Sequence, residues 1–226
     1  MKRTLSYFAV ALSIIAFGCK TIPTNTITQV STVKSIKENN TAPFIANCEL
    51  TTFGNTGIGI MEGLKGQVII NNNKVYAIND KFLATPAFSF TELTYANIVN
   101  FNWDTQLNLS SRKTMLEIEN LIKKTVPNDD IMCALKIKGK FLNIKLTTVT
   151  AKNDGQIEYQ DISGTIVGFR FPKYTKEISP EGFIFFFIAD NKKNGGDVVD
   201  FLLQTGTIEI DLCNKLNINT AINLND

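Results

Sequence analysis

Histidine is absent from all 226 residues, and that removes most of the chemistry a chain of this size commonly performs. Ser/His/Asp and Cys/His nucleophilic catalysis both need an imidazole to move the proton, and a histidine-ligated metal has nothing to hold it. The four cysteines, Cys19, Cys48, Cys133 and Cys213, show no CxxC or other metal-type spacing. Cys133 lies in the apolar run Ile131-Met132-Cys133-Ala134-Leu135 and reads as a small core residue. What remains is carboxylates and amines. Asp197 follows Gly195-Gly196, which reads as a turn, so a solvated loop carboxylate is expected there, with a ligand or base role as the alternative. Glu62 and Glu181 could join it around an oxygen-ligated metal only if folding brought the three together. Lys136 and Lys145 alternate with apolar residues and are expected to face water, with anion binding as the alternative, and Arg170 is expected to make a structural ion pair rather than a substrate contact.

The chain is 44% hydrophobic and 19% charged, enough apolar content for one folded unit with a real core. Lys and Arg number 23 and Asp and Glu 21, and the excess equals Lys2 and Arg3 at the start. Those two residues open a positive segment followed by an apolar stretch from Leu5 to Phe17, shorter than a membrane span, as in a secretory signal at residues 1–18. Ala16-Phe17-Gly18-Cys19 resembles the lipobox of bacterial lipoproteins, which implies acylation of Cys19 and anchoring of the exported chain at the cell envelope. Without residues 1–18 the chain is near neutral, with no basic face interleaved with aromatics, so nucleic acid is not an expected partner. A bridge between Cys48 and Cys213 is allowed in an oxidising compartment but is not implied by spacing. The Thr-rich residues 19–29 read as a tether, its last few residues equally as a frayed first strand, and residues 30–226 as the folded domain.

The elements that must position any site are mostly strands. Gln67 to Ile70, the Asn71-Asn72-Asn73 cluster and Lys74 to Ala77 read as strand, turn and strand. Met115, Ile118, Leu121 and Ile122 fall on one helical stripe within 110–124, with Ser111 as the expected cap and Pro127 beyond the end. Cys133 to Ile137 and Phe141 to Val149 read as two strands of a hairpin about Lys138-Gly139-Lys140. Gly164 to Phe171, Phe183 to Ile188 and Thr207 to Leu212 read as further strands, the aromatic run at 183–187 being buried on both faces.

Several motifs occur in an order that resembles the bacterial α-acetolactate decarboxylase family: Gly57-Ile58-Gly59, Gly63-Leu64-Lys65-Gly66-Gln67, Lys74-Val75-Tyr76, Thr85-Pro86, Gly139-Lys140-Phe141, Gly164-Thr165-Ile166-Val167-Gly168-Phe169, Pro172-Lys173-Tyr174, Gly182-Phe183 and Gly195-Gly196. The likeness runs from about Val30 to Ile210. It implies a mixed α and β fold of two mixed β-sheets with few helices, a homodimer, and a zinc held by three histidines, on which acetolactate is decarboxylated to acetoin. A Lewis acid on the carbonyl oxygen would stabilise the enediolate left when CO₂ departs.

At the positions matching the family's ligands this chain carries Ile184, Phe186 and Asp197, and neither of the first two has a lone pair to offer a metal. The family's glutamate falls on Gln67, which cannot titrate, and its arginine on Thr147. The resemblance therefore implies a kept scaffold with the zinc lost. Ile184 and Phe186 face the same way on a strand, so one reading is a core filled by Phe186. The other is a surviving pocket with an apolar wall, polar at Gln67, Thr147 and Asp197, suited to a small ligand. The expectation is a non-catalytic, membrane-anchored lipoprotein without a cofactor that binds a ligand or protein partner. The alternatives are an acetolactate decarboxylase proper, a carboxy-lyase, or an enzyme of altered chemistry on the same scaffold.

Overall fold

The computed structural model describes residues 23–38, 44–149 and 155–220. The expected signal segment, Cys19 and the first part of the tether lie outside these residues.

Two sheets face one another. The first is built from β1 (Thr26–Val30), β2 (Ile45–Ala46), β3 (Thr56–Met61), β4 (Gln67–Asn71), β5 (Lys74–Ile78), β6 (Ala84–Pro86), β7 (Glu92–Val99) and β14 (Lys215–Asn219). Its order is β14-β1-β7-β3-β4-β5-β6, with β2 also on β7. The parallel pairing of β1 with β14 makes this sheet mixed. The second sheet contains β8 (Thr105–Leu109), β9 (Lys113–Thr114), β10 (Met132–Thr147), β11 (Gln156–Phe171), β12 (Gly182–Ala189) and β13 (Gly195–Cys213), paired antiparallel throughout. Because β13 pairs with both β12 and β10, the strands β10 to β13 close into a ring. Helices are few: α1 (Val33–Lys37), α2 (Asn47–Leu50) and α3 (Met115–Thr125), with two short 3₁₀ turns. The expectation of two sheets with few helices therefore holds.

The apolar residues divide into three layers. Ile118 and Ile122 of α3 join Cys133, Leu135, Phe141, Phe187 and Phe201 in one core. Between the sheets, Ile27, Ile58, Ile69 and Val99 meet Val167, Phe169, Phe186 and Ile188. Val68, Ile70 and Ile98 on the outer face of the first sheet are covered by Leu50 and its neighbours. The alternation along β4, with Ile69 inward and Val68 and Ile70 outward, is the strand period read directly in packing.

Four sequence expectations change. The tether does not extend to residue 29, because Thr26–Val30 is a fully buried strand. The Gln29 amide donates to Ser31 O at 2.8 Å and Ile178 O at 2.7 Å, and its oxygen accepts from Ser179, so the strand is fastened by its polar side chain as well as its ladder. The hairpin about Gly139 is absent: β10 runs unbroken from Met132 to Thr147. Gly139 lies opposite both Gly164 and Gly206, and a Cβ there would stand 2.3 Å from Thr205 O. This glycine marks close approach of three strands beside a register shift, which mimics a turn signal. Gly195 and Gly196 begin β13 rather than form a turn, which falls at 190–193. The helix starts later than expected and is capped by Thr114, not Ser111.

That cap is a reciprocal box, in which the Thr114 hydroxyl accepts from Glu117 N at 3.3 Å and Thr114 N donates to the Glu117 carboxylate at 2.8 Å. Thr114→Ala is expected to lower unfolding free energy by about 1 kcal/mol, measured by urea titration against the parent. An unchanged midpoint would mean that packing of Ile118 and Ile122 alone fixes the helix.

Cys48 is exposed while Cys133 and Cys213 are buried, and all three are free. No Cys48–Cys213 bridge forms, since Cys213 points into the layer between the sheets. Burial pushes the Cys133 thiol up to about 12, as befits an inert core residue. Arg170 makes the ion pair expected of it, with Asp129.

Candidate functional site

Gln67 opens β4 with its side chain on the face that Ile69 buries between the sheets, so it points into the seam. Across that seam, Ile184 and Phe186 share one face of β12, and Phe186 is register partner to Asp197 on β13. These four residues, from segments up to 130 positions apart in sequence (197 minus 67), line one cavity of about 310 Å³. Ile58, Ile60 and Tyr95 of the first sheet and Pro180 complete a mostly apolar wall.

The core filled by Phe186 is thus not what the fold produces. Phe186 is 5% exposed and packs into the interlayer core, yet space remains beside it. Thr147 does not take part: its hydroxyl donates to Gly155 O at 3.3 Å, and Thr148 and Val149 occupy the wall instead. Asp197 is not a solvated loop carboxylate either. It stands on a strand, partly buried, and burial raises its carboxyl pKa from the ordinary 3.8 to about 7, with a hydrogen bond from Val198 N opposing the rise. Glu62 pairs with Lys65 at 3.4 Å and Glu181 is exposed, and neither lines the cavity, so an oxygen-ligand set around Asp197 does not assemble.

Two polar atoms give the cavity its chemistry. Gln67 is 2% exposed, and its Oε1 has no hydrogen-bond partner among the described residues. A buried acceptor left unpaired costs about 1–3 kcal/mol, and the cost is recovered when a donor enters. Opposite it, an Asp197 carboxyl that titrates near neutrality can donate below pH 7 and accept above it. Tyr95 adds a buried hydroxyl that accepts from Asn97 Nδ2 at 2.9 Å. Sequence reasoning missed Tyr95, Ile58 and Ile60. The run Leu93 to Val99, rich in β-branched and aromatic residues, was the available signal for β7.

A model of the family described as Alpha-acetolactate decarboxylase matches residues 27–225. The chain belongs to the alpha-acetolactate decarboxylase family. Curated relatives that bear that name include one from Methanosarcina mazei, 26% identical over 81% of this chain and 68% of the relative. Another, from Bacillus subtilis, is 26% identical over 93% of this chain and 87% of its own. Among solved structures, acetolactate decarboxylase from Bacillus subtilis subspecies spizizenii superposes with a TM-score of 0.83 at 24% identity, covering 88% of this chain and 91% of that one. A Staphylococcus aureus protein of unknown function, similar to alpha-acetolactate decarboxylase, gives the same TM-score at 24% identity over 86% and 89% of the two chains. At that identity the structural likeness speaks to the fold alone.

The zinc that the resemblance implies does not fit this donor set. Of the three ligand positions Ile184 and Phe186 offer no lone pair and only Asp197 offers an oxygen, and the described residues contain no group of three or more His, Cys, Asp or Glu able to hold an ion.

Proposed function

We propose that this member of the alpha-acetolactate decarboxylase family is a non-catalytic binding protein of the cell envelope, tied to the membrane through lipidated Cys19. Its interlayer cavity takes a small, largely apolar ligand that carries a hydrogen-bond donor. The observation that carries this reading is the pairing of an open cavity with an unpaired Gln67 Oε1, in a wall where the family-ligand positions hold Ile184 and Phe186. At about 310 Å³ the space is at the small end of ligand sites, which run from ~300 to ~1,000 Å³. The apolar wall would supply most of the binding free energy, and Gln67 and Asp197 would fix orientation.

The test is elemental analysis of the purified protein together with an acetoin assay on acetolactate in added zinc. No stoichiometric zinc and no acetoin above the spontaneous rate are expected. Stoichiometric zinc with acetoin formation would overturn the reading. The near-neutral carboxyl of Asp197 favours a second reading, an enzyme of altered chemistry in which Asp197 exchanges a proton with a bound substrate. That reading requires turnover without metal that disappears in Asp197→Asn.

A further inference from the structure

Gln67 and Asn71 are the two ends of β4, and each end opens onto a different cavity between the sheets. The one at Asn71 is larger, about 600 Å³, and opposite in character. Lys74, Lys136, Lys138 and Lys192 line it, against Asp190 and Glu209, so four positive charges meet two negative ones. None of the four lysines has a carboxylate partner within 4.0 Å among the described residues, whose ion pairs all lie elsewhere.

Lys136 was expected to face water and does not. It is 8% exposed, its Nζ donates to Asn72 Oδ1 at 2.7 Å, and it stands 4.4 Å from the centre of the Phe101 ring. The alternation along β10 did place it opposite Leu135 and Ile137, but that face looks into the seam between the sheets rather than into solvent. Burial also lowers its pKa, and the nearby carboxylates of Glu209 and Asp211 only partly oppose that fall. A lysine on a sheet face is ordinarily a solvated end; one clamped between an asparagine and a ring, at the bottom of a cleft, is positioned.

Beside it, Trp103 is the chain's single tryptophan, stands 49% exposed, and lines the same cleft. An apolar ligand would not suit so polar a wall, and a bare inorganic anion would leave the indole and most of the volume unused. Asn71 and Asn102 offer amides that both donate and accept, while Asp190 and Glu209 offer acceptors, a mixture that matches vicinal hydroxyl groups. The C–H face of a pyranose ring stacks on an indole, and a carboxylate or sulfate on that ring would meet ammonium groups that have no carboxylate within 4.0 Å.

The geometry points to this cleft as a binding site for an acidic saccharide, separate from the apolar cavity at the other end of β4. It does not depend on what the apolar cavity holds.

Because Trp103 is the sole tryptophan, its fluorescence reads the cleft directly. The whole protein would be titrated with a galacturonate trisaccharide, an alginate trisaccharide and a sulfated heparin disaccharide, alongside a neutral trisaccharide and inorganic phosphate. At least one acidic saccharide is expected to give a saturable change with a dissociation constant below ~1 mM, and the neutral sugar and phosphate to bind at least about tenfold more weakly. Lys74→Ala with Lys192→Ala removes two rim charges without touching the buried Lys136. The double variant is expected to lose about tenfold or more in affinity at an unchanged melting temperature, and raised salt to weaken the parent's binding. No saturable response to any acidic saccharide would overturn the proposal, as would phosphate or neutral sugar binding as tightly, or an undiminished affinity in the double variant.

Discussion

Replacing Ile184, Phe186 and Asp197 together with histidine is expected to create a zinc site between the sheets. Ile184 and Phe186 are two apart on β12 and face the cavity together, and Asp197 is the cross-strand partner of Phe186. Directly opposed residues on antiparallel strands have Cβ atoms about 4.5–5.5 Å apart, so three imidazoles there can converge on one ion. The loss of the Phe186 ring leaves room for the metal beside a cavity that is already open. Zinc affinity is expected to rise by at least about a thousandfold, worth ~4 kcal/mol, measured by competition with a chelating dye, and the ion should raise the melting temperature of the variant and not of the parent. A folded triple variant that takes up no zinc would mean that the backbone itself, and not only three side chains, has moved away from metal-binding geometry. Acetoin formation is not expected from this variant alone, because Gln67 cannot titrate and Thr147 is turned toward Gly155.

How far the sequence reaches is visible at these same positions. The family and the two sheets follow from glycine motifs and their order, since close strand approach at Gly139, Gly164 and Gly206 tolerates no side chain. The turn at Asn72 and Asn73 is legible too, because both adopt positive φ, 52° and 63°, which asparagine accepts with little strain. What sequence could not give is depth. Whether Phe186 fills or merely flanks the old site depends on Ile58, Ile60 and Tyr95 across the seam, far away along the chain. Whether Lys136 meets water depends on which face of β10 the other sheet covers, and alternation alone does not say. The single-residue slip from Thr147 to Thr148 is of the same kind: the motif fixes the neighbourhood, and the strand end decides which side chain enters it.

The two ends of β4 give the interlayer seam a polarity. The apolar cavity collects Gln67, Ile184, Phe186 and Asp197, and the basic cleft collects residues from β4, β5, β10 and the 190–193 turn. A scaffold whose two sheets meet imperfectly at both ends, with Ile69 and Phe169 packed in the layer between them, can change side chains at one end without disturbing the other.

Asp197→Asn is expected to stabilise the protein strongly above neutral pH and hardly at all near pH 4, where the parent carboxyl is already neutral when folded. Its pKa is about 7 in the fold against an ordinary 3.8, so between those values the native state binds more protons than the unfolded state. Stability then falls as pH rises through that window, and the loss is complete once pH exceeds about 7. A shift of this size corresponds to at most about 4 kcal/mol at ~1.4 kcal/mol per pH unit; with the carboxyl only partly buried, roughly 2 kcal/mol is the expected gain at pH 8. Asp211, raised by burial to about 6, contributes in the same direction but is present in both proteins and cancels in the difference. Urea titrations of parent and variant from pH 4 to pH 9 would show curves that diverge from about pH 4 to about pH 7 and run parallel above. Curves parallel throughout would mean that Asp197 is solvated in the folded protein, and the donor it lends the cavity below pH 7 would then have to come from Tyr95, the other titratable group in the described wall.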